Sequence, residues 1–185
     1  IEPNPLTPYA IHKLVSEKYC SVYNQLYDLS TVSLRFFNVF GPNQSYAQGN
    51  DYSAVFPNFM TSCLKNKNLK IYGDGSQTRD FIFVQDVVSA LINSAVIHDV
   101  EDCVINIASG YGLSILDLSN TIVDLFNREI GIDHEEVREG DILHSFADIS
   151  LSKKLLDLRF NSNLEDNLKI TYAYFKRKMQ TSQLK

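Results

Sequence analysis

The sequence has no tryptophan, only two methionines and three cysteines in 185 residues, and none of its eight glycines falls into a GxxGxxG pattern. Cys20, Cys63 and Cys103 are odd in number, widely spaced and without a CxxC, so neither a disulfide framework nor a zinc ribbon is read from them. The four histidines lack zinc-site spacing, and no metal is expected. Reduced core thiols, and hence the cytoplasm, are the expected setting. There is no run of basic residues and the formal net charge is −5, so the long-range field favours neither nucleic acid nor an anionic membrane as partner. No apolar run approaches the roughly 18 residues of a membrane span, and the opening residues do not read as a signal peptide. Neither an internal repeat nor a low-complexity tract is present.

What is present is an ordinary globular composition, 44% hydrophobic and 21% charged, in a chain long enough to bury a core. From Tyr9 to about Asp28 the apolar residues Ile11, Val15, Tyr19, Val22 and Leu26 recur at steps of three and four, which predicts a helix with that face packed on a sheet. Thr31 to Phe40 is β-branched and aromatic on both alternations except at Arg35, which predicts one buried parallel strand. Gly41-Pro42 ends it, and a polar loop runs to Tyr52. A helix over 54–66 follows, then strands over 69–72 and 79–84. Asp86 is expected to cap a helix to about Ile97, with Val87, Leu91 and Ala95 inward. A strand over 104–108, a Ser109-Gly110-Tyr111-Gly112 turn, a helix capped by Ser114, a strand over 135–137, a short helix from Ser150 and a last helix carrying Leu164 to Met179 complete the reading. Alternating strands and helices without a Pro/Gly/Ser linker predict an α/β architecture in one compact body. Lys176-Arg177-Lys178 lies at the end of that last helix, where cations complement the helix dipole.

One stretch carries chemistry, Thr7-Pro8-Tyr9-Ala10-Ile11-His12-Lys13. Thr7 suits an N-cap and Pro8 a first helical position, so Tyr9 and Lys13, one turn apart, share a face. An ammonium beside a phenol favours the phenolate, which suits Tyr9 to general acid/base work. Taken alone, the pair is equally at home on any solvated helix.

The flanking residues add to this. The stretch from Pro5 to Glu17 resembles the active-site helix of the extended short-chain dehydrogenase/reductases, the NAD-dependent epimerase/dehydratase family. Three further blocks follow in the family's order: Leu34-Arg35-Phe36-Phe37-Asn38-Val39-Phe40-Gly41-Pro42; Tyr72-Gly73-Asp74-Gly75 with Thr78-Arg79-Asp80-Phe81; and Arg138-Glu139-Gly140-Asp141. Within the family the likeness is to the UDP-N-acetylglucosamine 4-epimerases of the UDP-glucose 4-epimerase group. The resemblance implies the later part of a Rossmann-type parallel sheet domain (residues 1–52, with about 86–108 returning to it) and a smaller α/β substrate domain over most of 53–185.

It also implies a set of site residues. Tyr9 takes the proton from the sugar 4-hydroxyl, Lys13 holds the nicotinamide ribose of NAD, and Phe36 packs near the nicotinamide. The family often has Tyr where Phe36 stands, so a hydroxyl contact is absent here. Asn38 meets the sugar or diphosphate, and Arg79 and Arg138 meet the diphosphate, as a guanidinium fork can. Uracil meets the backbone around Ala54, Val55 and Phe56 and the strand at Lys70 and Tyr72, while Asp141 accepts from the ribose. Each has a plain alternative as a turn, core or solvated residue. Ser145 aligns with a position that is bulky in epimerases restricted to UDP-glucose and small in those that accept N-acetyl sugars, so UDP-GlcNAc/UDP-GalNAc or their uronic acids are the implied substrates.

The family's glycine-rich NAD loop and its catalytic Ser or Thr lie upstream of the Tyr-Lys helix. Gly110-Tyr111-Gly112 comes too late and lacks the third glycine. The chain is therefore expected to be the end of a longer, homodimeric protein, inactive alone, with exposed apolar surface on its first helix. A 4,6-dehydratase or decarboxylase of the same scaffold, and a non-catalytic UDP-binding or subunit-contact module, are the competing readings.

Overall fold

In the computed structural model the described residues are 3–44, 54–97, 100, 102–126, 129–138, 140–158, 160 and 163–182. The loop expected up to Tyr52 lies largely outside them, as does Glu139.

The first helix, α1 (Pro8–Tyr27), begins as the residues dictate. Thr7 accepts a hydrogen bond from the Ala10 amide at 3.1 Å, Pro8 takes the first turn, and Asp28 ends the helix in the left-handed region at φ 53°. Its orientation differs from the expected one. Ile11, Val15, Tyr19, Val22 and Leu26 are 44–68% exposed and no residue of α1 is buried. The half-buried stripe is instead Ala10, Leu14, Glu17, Cys20, Ser21 and Asn24, a more polar face at the same helical period. The periodicity found a stripe, but it is the one turned away from the sheet.

The strand expected over Thr31 to Phe40 divides at Phe37. The first piece, β1 (Val32–Phe36), runs parallel to β5 (Cys103–Ile107), with Val32 opposite Cys103 and Phe36 opposite Ile107. The second, β2 (Asn38–Phe40), runs parallel to β4 (Thr78–Phe83). Two partners claim one apolar run, so propensity alone could not reveal the break. Gly41, at φ +143°, turns the chain away where a Cβ would come within 2.6 Å of Val84 Cγ1.

Between these strands lies α2 (Val55–Leu64), which buries Phe56, Phe59, Met60 and Cys63. Next, β3 (Leu69–Tyr72) pairs in parallel with β7 (Ile132–Glu135), three residues before the strand expected over 135–137. The last residue of β4 caps α3 (Val84–Val96), so Asp86 sits in the first turn rather than at the cap. That helix buries Asp86, Val87 and Ala90, while Leu91 and Ala95 are exposed. Val84, Val87, Val88, Leu91, Ile92 and Val96 form an apolar stripe over about half of the helix surface, and only its Val84–Val87 edge is turned inward.

Gly112, expected in a turn, opens β6 (Gly112–Ser114), which is antiparallel to β4; β8 (His144–Ser145), which carries no sequence signal, runs parallel to it. Ser114 caps α4 (Ile115–Phe126) as expected: its hydroxyl accepts from the Asp117 amide at 2.9 Å and donates to the Asp117 carboxylate at 2.7 Å. The chain closes with α5 (Ser150–Leu156) and α6 (Leu164–Ser182). One core gathers Phe40, Phe56, Phe59, Phe81 and Phe83 with Leu118, Ile122, Leu168 and Phe175 of α4 and α6. A second joins Ile105, Ile107, Val87, Ala90 and Leu156 around β5, α3 and α5. This is a mixed α/β fold with parallel pairing at its centre.

Candidate functional site

Two cavities collect the residues singled out in the sequence. The first, about 640 Å³, opens between α1 and β1 and is lined by Tyr9, Lys13, Glu17, Arg35 and Phe36 among others. Tyr9 is 71% exposed, and the Lys13 ammonium lies 5.4 Å from the centre of its ring. Phe36, at the end of β1, is 45% exposed and presents an apolar surface to the same space. Deeper in, Arg35 donates from Nε and Nη2 to the two carboxylate oxygens of Glu17, each at 2.7 Å. That hydrogen bonding holds the Glu17 carboxyl below the usual glutamate range, against the opposing effect of burial, and raises the Arg35 guanidinium.

The second cavity, about 230 Å³, brings together residues from most of the chain: Asn38, Val55, Lys70, Tyr72, Arg79, Arg138 and Asp141 all line it. Three cations and three amide-bearing side chains, Asn38, Asn58 and Gln77, line one hollow, a donor set suited to a polyanion. Arg79 is held by an ion pair to Asp141 and donates to the backbone carbonyls of Thr78, at 2.8 Å, and Ile142. Asp141 is thus paired with Arg79. Arg138 lies flat over Tyr72, its guanidinium carbon 3.7 Å from the ring centre. Lys70 is paired at 2.6 Å with Glu135 across the β3–β7 pairing. The Asn38 amide donates to the Asp80 carbonyl at 3.1 Å.

Three expected residues fall outside the lining. Ala54 is exposed just before α2, and the Phe56 side chain is buried in the core, stacked on Phe40 at 4.2 Å. Ser145 is half-buried in β8, opposite Arg79 in register. Two polar lining residues were not singled out. Asn58 follows Val55 by one turn of α2, which a helical-face argument could have found, and Gln77 donates to the Tyr72 carbonyl at 2.8 Å. Asp80 was quoted in its block without a role. Its fully buried carboxylate accepts from the Ser109 amide and hydroxyl, each at 2.7 Å, the Gly110 amide at 3.0 Å and the Ala147 amide at 3.2 Å. Among the described residues no group of three or more His, Cys, Asp or Glu could hold a metal, and no helix is long and apolar enough to cross a membrane.

Comparison with known families places this arrangement. The NAD dependent epimerase/dehydratase family matches residues 1–108. The chain belongs to that family. An uncharacterised UDP-glucose epimerase of Bacillus subtilis is 34% identical over 174 residues, covering 92% of the chain and 52% of that relative. A UDP-N-acetylglucosamine 4-epimerase of Methanobrevibacter ruminantium, solved with UDP-N-acetylmuramic acid, superposes with a TM-score of 0.89 at 37% identity, over 95% of the chain and 56% of its own. A UDP-glucuronic acid 4-epimerase of Bacillus cereus, solved with UDP-glucuronic acid and NAD, gives 0.85 at 30% identity, over 96% and 55%. The chain spans about half the length of the curated relatives it matches. For an NAD-dependent family the first cavity has a fitting donor set: a phenol, an ammonium and an exposed aromatic face suit the ribose and nicotinamide of the cofactor. No GxxGxxG loop is present in the sequence to receive a pyrophosphate.

Proposed function

We propose that this chain is the C-terminal part of an NAD-dependent UDP-N-acetylhexosamine 4-epimerase, acting on UDP-GlcNAc/UDP-GalNAc or their uronic acid forms through a 4-keto sugar. The observation that carries the reading is the second cavity, which unites residues 38 to 141 into one cationic, tyrosine-bearing hollow, next to a family match that includes the Tyr9–Lys13 helix. Tyr9 removes the proton from the sugar 4-hydroxyl and later returns one. Lys13 holds the nicotinamide ribose, while Phe36 packs against the nicotinamide. When NAD is bound, the redox exchange at C4 is supplied by the cofactor, first oxidising the sugar and then reducing its other face. Arg79 and Arg138 clamp the diphosphate, Asn38 meets the sugar or diphosphate, and Asp141 accepts from the ribose once Arg79 turns to phosphate. Uracil rests on the backbone at Ala54, Val55 and Phe56 and beside Lys70 and Tyr72.

In this reading residues 1–52 and about 86–108 serve the cofactor part and the rest of 53–185 the substrate part. The parent is a cytoplasmic homodimer of sugar-nucleotide metabolism feeding surface polysaccharide. Because the sequence has no glycine-rich loop, the chain alone binds UDP but turns over no UDP-sugar. Calorimetric titration of the chain with UDP is expected to show binding that Arg79→Ala or Arg138→Ala weakens at least about tenfold. Absence of UDP binding, or epimerisation by the chain alone, overturns the proposal.

Substrate choice rests on Ser145, whose small side chain beside Arg79 leaves room for an acetamido group. In the parent enzyme Ser145→Tyr is expected to lower kcat/KM for UDP-GlcNAc by about 10–200-fold while sparing UDP-glucose. Equal losses on both sugars would remove Ser145 from this role.

A further inference from the structure

Tyr9, Lys13 and Glu17 stand at successive i, i+4 positions of α1, all bordering the cavity against β1. Glu17 therefore has three cations around it, Arg35 across on β1 and, on its own helix, Lys13 one turn earlier and Lys18 next in sequence. It is bound to Arg35 through both oxygens, and its side chain is only 17% exposed. Among the described residues Lys13 has no ion-pair partner and its ammonium lies over Tyr9. The choice has a physical basis. The planar guanidinium matches a carboxylate with two parallel hydrogen bonds, whereas Lys placed N-terminal to Glu is the weaker order of an i, i+4 pair.

We propose that Arg35 is a positioning residue for the Tyr9–Lys13 pair: by engaging Glu17 it keeps that carboxylate off Lys13, leaving the ammonium free for the phenol and a ribose. The proposal rests on the reading of Tyr9 and Lys13 given above. Without Arg35, Glu17 would be a half-buried carboxylate in need of a cation. Lys18 follows it directly, lines the neighbouring cavity with Glu17 and Arg35 and already favours the Glu17 carboxylate. Adjacent positions on a helix diverge, however, and Lys18 does not border the cavity that holds Tyr9. Apart from Lys18 and Arg35, the residues that line the neighbouring cavity with Glu17, among them Cys20, Asp102 and Cys103, offer no cation. His12 shares the helix but precedes Glu17 by five positions. Lys13 is the lysine that borders the same cavity as Glu17 and Tyr9, and pairing with it would draw the ammonium from Tyr9; a fall in acylation at Lys18 instead of Lys13 on loss of Arg35 would overturn the proposal.

The test is amine acylation of the chain, with modification at each lysine followed by peptide mass spectrometry and Lys154 and Lys176 as exposed references. In Arg35→Met, acylation of Lys13 relative to the references is expected to fall about twofold, the scale of one helical ion pair. Arg35→Met/Glu17→Gln is expected to restore it, and Arg35→Lys to leave it near the wild-type rate. Arg35→Gln, which keeps an amide donor for Glu17 but no charge, puts the same question if the Met variant does not fold. If Arg35 merely tethers α1, its loss would loosen the helix, Lys13 would react faster or unchanged, and Glu17→Gln would not reverse the effect; that result overturns the proposal. In the parent enzyme Arg35→Met is expected to lower kcat with KM for the UDP-sugar unchanged, and the double variant to regain it. Labelling needs no substrate, so its failure is separable from a failure of the UDP-sugar reading, which UDP titration decides.

Discussion

The buried Asp80 carboxylate answers four donors, from Ser109, Gly110 and Ala147, and its backbone carbonyl holds the Asn38 side chain. Its neighbour Arg79 reaches the opposite way, to Asp141. One residue thus ties the turn after β5 and the segment following β8 to β4, whose Arg79 and Phe81 line the second cavity. An amide cannot replace it, because its NH₂ would face two donors in place of one oxygen. Asp80→Asn is expected to lose about 3 kcal/mol, or roughly 6–12 °C in Tm for a chain of this size. Thermal unfolding checks this, and a loss under about 1 kcal/mol would mean that the donors find other acceptors. Arg79 was singled out because its block resembles the family's, and it lines the second cavity. Asp80 was not, because its partners lie some thirty and seventy positions away and nothing in composition brings them together.

At the scale of one element, α1 shows both what periodicity supplies and what it omits. Thr7, Pro8 and the 3.6-residue repeat placed its start and length correctly. The repeat also picked the more apolar stripe as the inward one, whereas the inward face is held to the sheet through polar contacts, Glu17 with Arg35 and the Thr31 hydroxyl with the Cys20 carbonyl at 3.0 Å. The single strand read across Phe37 failed for a related reason, since a run buried on two sides does not say with whom it pairs. The Glu17 tether sets a pH dependence. Its carboxyl is held below the ordinary glutamate value in the folded chain, so its stabilisation is present at neutral pH and is lost as pH falls through the folded value. Between about pH 6 and pH 3 the wild-type chain is therefore expected to lose more stability than Glu17→Gln. Urea midpoints across that range measure the difference; parallel curves would mean that the pair contributes nothing to folding.

Across the whole molecule, the α/β class and the blocks that line the second cavity were readable because each block holds its own chemistry, while the assembly of two cores around β4 and β5 is a matter of long-range pairing. The same long-range view explains the surface. Ile11, Val15, Tyr19, Val22 and Leu26 of α1 are exposed together with Val88, Leu91, Ile92 and Val96 of α3, two helical stripes of large apolar side chains left to water. Both helices flank the β1–β5 pair, a parallel sheet of two strands, and parallel sheets are ordinarily covered on both faces. A folded chain with such faces is expected to bind the dye ANS strongly while keeping a cooperative thermal transition, unlike a molten globule, which binds the dye and lacks the transition. Lysine at Val15, Val22 and Leu26 together should reduce the fluorescence without lowering Tm by more than about 1 kcal/mol equivalent, since none of the three is buried. Weak dye binding by the wild-type chain would show that these faces close on each other in solution. If the parent covers them, as the proposed dimeric enzyme requires, it should bind far less dye per chain than this segment does, even though it contains every one of these residues.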